Sequence, residues 1–261
     1  QRPNQLSVNT VGSTTATLDW NSGGANNWQL EYGPPGFSPG SGTRLSVTSK
    51  PFQITGLNPG KDYEVVVRDS CGASAVSRWT PSASFTTSCA VAQAPFLENF
   101  DGPSYQIQSF NNNRGRISAC WARSDSSAEY YWVPLDAANF NNTGPANDHT
   151  TGNSTFMATD AQFSGTANNS ATTFTSPFID LSPLTTPQLR FYEHRFGTDI
   201  DSLIVFVNDG SGWNQVLGLS GANLNASSAP WTEQLVSLSA YAGDTVQVRF
   251  RGVRTNTFFS Q

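Results

Sequence analysis

Lysine is almost missing from this chain, which has only Lys50 and Lys61, and charged residues of every kind make up just 13% of it. The formal charge of −5 and a pI near 4.9 exclude the basic surface that counterion release on nucleic acid requires, and disfavour anionic membranes for the same reason. Histidine occurs twice, as His149 and His194, and neither stands in a Ser/His/Asp or metal-peptidase string. No apolar run reaches the roughly 18 residues of a membrane-spanning helix. Apolar residues at sustained helical spacing are lacking too, which removes long helices from consideration. The integrin tripeptide Arg-Gly-Asp is also missing, and Arg114-Gly115-Arg116 does not replace it. No leader-like stretch stands at Gln1, so a mature or excised piece of a longer protein is expected.

What is there is Ser, Thr, Asn and Gly in short alternating runs, an all-β composition of extracellular type. A length of 261 residues is too great for one small sandwich and leaves room for two domains. Asn141, Asn153, Asn168 and Asn225 each open an Asn-x-Ser/Thr sequon, and such strings mark expected surface loops.

Over residues 1–90, apolar and polar residues alternate in Ala16–Trp20, Trp28–Tyr32, Phe52–Ile54 and Tyr63–Arg68, with turn formers between them. That spacing predicts a β-sandwich. The run Gly56-Leu57-Asn58-Pro59-Gly60-Lys61-Asp62-Tyr63 resembles the tyrosine corner of the fibronectin type III family, and Trp20 matches that family's core Trp. The resemblance covers residues 3–88 and implies that the Tyr63 hydroxyl bonds back to the turn backbone. Gly36-Phe37-Ser38-Pro39-Gly40 has the outline of a hydrolase nucleophile elbow. That elbow needs a strand turning straight into a helix, which Pro39 and Gly40 oppose, so a hairpin loop is expected instead.

Residues 89–95 read as a linker, and residues 91–261 as a second domain. Its strings are Glu98-Asn99-Phe100-Asp101-Gly102, Cys120-Trp121, Gly144-Pro145 with Asp148-His149-Thr150 and Gly152, Ser176–Leu181, Leu189–His194, Gly197–Leu203, Trp231, and Val246–Arg254. In that order they resemble the MAM family, named for meprin, neuropilin and receptor phosphatase mu. The resemblance implies a jelly-roll β-sandwich. It also implies a further strand ending in paired Asp residues, and Gln261 precedes any such string, so an open sheet edge is expected there. The fold class expected for the whole chain is therefore all-β, a fibronectin type III sandwich followed by a MAM-type jelly roll.

The cysteines follow from these resemblances. In a fibronectin type III fold, Cys71 and Cys89 flank neighbouring antiparallel strands, so a Cys71–Cys89 bridge is expected, with Cys120 unpaired. The MAM resemblance implies the competing pair, Cys89 with Cys120, although the family's usual Cys before Phe100-Asp101 is missing here.

Candidate site residues fall into two groups. Asp101, Asp148 and Asp160 come from three segments expected at one end of the second sandwich, and their hard oxygens suit a structural calcium ion. Asp199 and Asp201 stand in reserve, and the competing reading is that these residues cap turns. The second domain carries Arg and no Lys. Alternation puts Arg249 and Arg251 on one face of their strand, and Arg190, Tyr192 and His194 on one face of theirs. Together on a concave sheet they would form a basic, aromatic patch for an anionic polysaccharide, whereas the competing reading pairs them with carboxylates such as Glu193. The implied function is a secreted or cell-surface, non-catalytic adhesion module pair of a bacterial-type protein, recognising glycan or an extracellular protein. The alternative is a structural spacer or accessory segment of a secreted hydrolase. A catalytic reading would rest on paired carboxylates alone.

Overall fold

In the computed structural model the chain divides into two compact units, Gln1–Ala90 and Val91–Gln261. The structure describes residues 1–72, 75–102, 104–107, 115–124, 130–136, 144–145, 147–152, 154–160, 170–197 and 200–255, with the side chain of Asp160 outside that description. The sequon residues Asn141, Asn153 and Asn168, and Asp199, lie outside the described residues.

The first unit holds β1 (Asn4–Val11), β2 (Ala16–Asn21), β3 (Trp28–Gly33), β4 (Thr43–Val47), β5 (Phe52–Ile54), β6 (Asp62–Asp69) and β7 (Ala83–Thr86). A three-stranded sheet, β1-β2-β5, faces a four-stranded one, β4-β3-β6-β7. Period-two alternation turns Leu18 and Trp20 of β2 and Leu30 of β3 into a shared core with Ile54, Val65 and Val67. Each such fully buried aliphatic side chain contributes about 1.5–3 kcal/mol. The expected tyrosine corner is present, with Asn58 N donating to the Tyr63 hydroxyl at 3.0 Å. Residues 36–40 form the loop between β3 and β4, and no helix follows them. Glu31, wholly buried on β3, accepts from the backbone N–H groups of Gly40 and Gly42 and pairs with Arg44 at 2.9 Å. Burial pushes the Glu31 carboxyl up, but these donors outweigh it and hold it below the usual range.

The second unit holds β8 (Ala92–Gln93), β9 (Ala122–Arg123), β10 (Tyr131–Leu135), β11 (Phe156–Asp160), β12 (Ala171–Thr175), β13 (Ile179–Asp180), β14 (Gln188–Glu193), β15 (Ile200–Asn208), β16 (Trp213–Ser220), β17 (Thr232–Ser237) and β18 (Thr245–Arg254). The large sheet runs β16-β15-β18-β12-β9, with β13 and β8 continuing from β18. Two short antiparallel pairs, β10-β11 and β14-β17, stand apart from it. The inner face of the large sheet, with Val205, Val207, Val246 and Val248, packs on Leu189, Phe191 and Val236 of β14-β17. The rings of Phe191 and Phe250 meet edge to face at 5.1 Å across that core. Gly252 lets the β10-β11 pair come close, because a Cβ there would lie 2.8 Å from Thr159 Cγ2 and 3.4 Å from the Tyr130 hydroxyl.

The expected Cys71–Cys89 bridge is overturned. Cys71 is free and exposed, whereas Cys89 and Cys120 are both disulfide-bonded, so the bridge of this three-cysteine chain joins those two. The strand register gives the reason. Asp62 pairs with Thr86 and Val65 with Ala83, so the hairpin closes near Cys71, whose N–H donates to Ala75 O at 2.8 Å. Cys89 lies past the opposite end of the same hairpin, next to Ser88, whose carbonyl accepts from Gly60 N. Two residues at opposite ends of a hairpin are beyond the 4.4–6.8 Å Cα separation, roughly, that a disulfide tolerates.

Candidate binding surfaces of the second unit

The two groups of candidate ligand-binding residues do not share a face. On β18, Arg249 and Arg251 alternate with Val248, Phe250 and Gly252, so they project from the outer side of the large sheet. On β14, Arg190 and Tyr192 alternate with Leu189 and Phe191, so they project from the outer side of the β14-β17 pair. The two sheets pack through Phe191 and Phe250, and this places the groups on opposite sides of the sandwich. The patch expected from sequence is therefore two surfaces.

The β14-β17 surface is largely occupied by its own partners. Arg190 Nε lies 3.4 Å from Glu233 Oε1, and the Tyr192 hydroxyl donates to the same oxygen at 3.2 Å. The His149 ring stacks on Tyr192 with 3.3 Å between centroids. His194 stands just past β14, edge-on to Trp231 at 5.7 Å, and its buried Nε2 has no hydrogen-bond partner. Burial lowers the His194 pKa below the ordinary value, against contacts from the Ala229 and Ser227 backbone that raise it. Trp231 Nε1 in turn donates to Asn147 O at 2.9 Å, which fastens the Asp148-His149-Thr150 loop beside the strand pair.

Glu193 does not pair with the β18 arginines. Its partner is Arg195, with Nε to Oε2 at 3.0 Å, and only 4% and 10% of the two side chains are exposed. Asn223 and Gln234 also donate to Glu193, and Arg195 donates to the carbonyls of Ser220 and Gly221. This closed network holds the loop from Gly221 toward Trp231 against the end of β14. A charged pair two residues apart in sequence, Glu193 and Arg195, was the only local sign of it.

The outer face of the large sheet is different. The Arg249 guanidinium carbon lies over the Trp213 ring, 3.6 Å from its centroid, and Arg249 Nε donates to Thr175 Oγ1 at 3.1 Å. Burial lowers its pKa, and the group stays a cation at any physiological pH. Arg251 is exposed, opposite Ile204 and Thr173 in the ladder, with Phe206 opposite Arg249. Among the described residues no carboxylate pairs with Arg249 or Arg251. Sequence reasoning missed Trp213, whose place beside β18 arises only because β16 pairs with β15 and β15 with β18.

Two of the three candidate metal ligands come together. Ser154 donates its hydroxyl to Asp101 Oδ1 and its backbone N–H to Asp148 Oδ1, the latter at 2.7 Å. Asp148 is buried and also accepts from the N–H groups of Thr150 and Thr151 and from the Thr151 hydroxyl. Burial pushes this carboxyl up, and the donors outweigh it and hold it below the usual range. That is the bonding of a loop cap, with the lone pairs already engaged. Asp160 ends β11, and its side chain is outside the description; among the described residues no group of three His, Cys, Asp or Glu is arranged to hold a metal ion. Asp201 is exposed at the start of β15 and accepts from its neighbour Ser202.

Residues 109–260 match the model of the MAM domain, meprin/A5/mu. The chain belongs to the MAM domain family. Residues 1–87 match the fibronectin type III domain. The protein is thus all-β, with a fibronectin type III sandwich and then a MAM jelly roll. Both are non-catalytic module families whose members are commonly extracellular adhesion or binding modules. Similar solved structures include the FN5 domain of Drosophila Lar, at 16% identity over 34% of this chain and 96% of that one, with a TM-score of 0.29. The fn3 domain of the human collagen alpha-1(XX) chain is 24% identical over 34% of this chain and 86% of that one, with a TM-score of 0.29. That of human contactin 1 is 18% identical over 35% and 81%, at 0.32. At such TM-scores the assignment rests on the family matches. No helix among the described residues of the MAM unit or its neighbour is long and apolar enough to cross a membrane.

Proposed function

We propose that this protein is a secreted or cell-surface binding segment, and that its MAM unit holds an acidic polysaccharide on the outer face of the large sheet. The observation that carries the reading is the pair Arg249 and Arg251, two cations on one strand face with no carboxylate partner among the described residues, beside Trp213. A guanidinium fork gains most from carboxylate or sulfate oxygens, and one already stacked on an indole is pre-organised to do so. Arg190 supports the contrast, since Glu233 already neutralises it. The acidic whole-chain charge favours a local patch over non-specific anion binding.

The test is a binding assay on polygalacturonate, a sulfated glycan and a neutral glucan, at low and at physiological salt. The acidic polymers should bind, and salt should weaken them, because exposed charges are screened beyond about 8 Å at physiological ionic strength. Replacing both residues, Arg249→Gln with Arg251→Gln, should abolish binding while the fold persists. Equal binding of neutral glucan, or retention by the double variant, would refute the reading and leave the spacer function in its place. A structural calcium ion at Asp101, Asp148 and Asp160 is a separate proposal. The meeting of Asp101 and Asp148 at Ser154 supports it, and the donors already filling Asp148 oppose it.

A further inference from the structure

The outer face of the four-stranded sheet in the first unit carries its own cationic group. Gln29 and Glu31 lie two apart on β3, and the register sets Arg68 of β6 opposite Gln29 and Arg44 of β4 opposite Glu31. Leu30, Leu45 and Val67 turn into the core, so these four residues project the other way. Each arginine is held by the same edge. Arg44 Nε and Nη2 donate to Glu31 Oε2 at 3.1 and 2.9 Å, and Arg68 Nε and Nη2 donate to Gln29 Oε1 at 3.0 and 2.6 Å. Trp79 steadies both, with its ring centroid 5.8 Å from the Arg44 guanidinium carbon and 4.3 Å from that of Arg68. The Nη1 end of each guanidinium donates to nothing among the described residues. The Arg44 side chain is 45% exposed, and Arg68 Nη1 is open to solvent. Glu31 neutralises Arg44, whereas among the described residues no carboxylate pairs with Arg68. The exposed Arg2 adds a third cation by donating to the Trp79 carbonyl at 3.4 Å. The charge of this unit does not oppose an anion: residues 1–90 hold six basic side chains and five acidic, against eight and fourteen in residues 91–261.

We propose that this face receives an extended acidic peptide segment of a partner protein, laid along β3, with alternate carboxylates on the Nη1 ends of Arg44 and Arg68. The spacing carries the choice of partner. Forks anchored at positions i and i+2 of one strand are about 6.6 Å apart along it, which is also the repeat of same-face side chains in an extended peptide. A carboxylate accepts two donors from the free end of a guanidinium, so each fork takes one acidic side chain. Both guanidinium planes are already fixed by β3 and Trp79, and binding therefore costs little further side-chain entropy.

The experiment titrates the whole chain with two peptides of six glutamates each, at low and at physiological salt. One alternates Glu and Thr over twelve residues, and the other carries Glu at every third position over eighteen. In the second peptide successive carboxylates fall on opposite faces of the extended chain, so only one fork is filled at a time. The alternating peptide should bind about tenfold tighter, the worth of one charge-assisted hydrogen bond, and salt should weaken it. Arg68→Gln should lower its affinity by a similar factor. Arg68→Lys, which keeps the charge without the fork, should erase the spacing preference, and Lys61→Gln, an exposed cation of the same unit, should change neither. Equal affinities for the two peptides, or an affinity untouched by Arg68→Gln, would overturn the proposal. So would tighter binding of a sulfated glycan that Arg68→Gln removes, because the face would then belong to a glycan. Should Arg68→Gln fail to fold, arginine labelling by phenylglyoxal decides on the native chain. The alternating peptide should slow modification of Arg44 and Arg68 more than the other peptide does, and no difference overturns the proposal.

Discussion

Replacing Arg195 by Met removes the cation of the buried Glu193–Arg195 pair while keeping an unbranched apolar stem of similar length. Glu193 would stay 4% exposed with only Asn223 and Gln234 to bond it. Breaking one side of a buried pair costs about 3–5 kcal/mol, because the remaining charge is left unneutralised. The carbonyls of Ser220 and Gly221 also lose a donor, but Ser220 is exposed and water replaces that bond. At about 2–4 °C per kcal/mol for a unit of this size, the melting transition of the MAM unit should fall by roughly 10 °C. Calorimetry of the intact chain should show that transition moving and the fibronectin type III transition unmoved. Hydrogen exchange should place the loss in peptides from β14, β17 and the Gly221–Trp231 loop. The double replacement Glu193→Leu with Arg195→Met should recover most of the loss, since an apolar pair of similar volume replaces a buried ion pair at little cost. A loss below about 1 kcal/mol for Arg195→Met, the range of exposed pairs, or a double variant worse than the single one, would show that the buried pair does not hold this end of the MAM unit together.

Acidification should weaken the MAM unit in two separate windows. His194 is held neutral below its ordinary 6.5, so the unfolded chain binds the extra proton and stability falls as pH drops through and below that value; His194→Gln should flatten the thermal-melt profile there. Asp148, depressed below 3.8, gives stability that is present above that value and lost only at lower pH, and Asp148→Asn should remove the second step. Chelator should lower the melting temperature of a calcium-loaded sample if Asp101, Asp148 and Asp160 hold the ion, and an unchanged melt with confirmed loading would dispose of the site. Non-reducing peptide mapping should join the Cys89 and Cys120 peptides and leave Cys71 open to alkylation, whereas a Cys71–Cys89 peptide would contradict the register described above.

Period-two alternation was enough to put Arg249 beside Arg251 and Arg190 beside Tyr192, because the face of a side chain within one strand depends only on its parity. Which sheet a strand joins is a different kind of information. β14 pairs with β17 across some forty intervening residues, and nothing in the local pattern of Leu189–His194 names that partner. The same gap hid Trp213, brought near β18 through β15, and it hid the β6-β7 register that decides the cysteines. The tyrosine corner was legible because its bond from Asn58 to Tyr63 spans five residues. The sheet to which each strand belongs has a functional consequence. Divided between two surfaces, the arginines are no longer equivalent, since Arg190 and Tyr192 are already engaged by Glu233 and His149. A polyanion reaching Arg190 must displace a carboxylate, and one reaching Arg251 meets exposed cation. The difference should appear in single variants: Arg251→Gln should weaken binding of an acidic glycan by about tenfold or more, the worth of a charge-assisted contact, and Arg190→Gln should leave it unchanged. Equal losses would mean that the ligand spans the sandwich edge rather than lying on the large sheet.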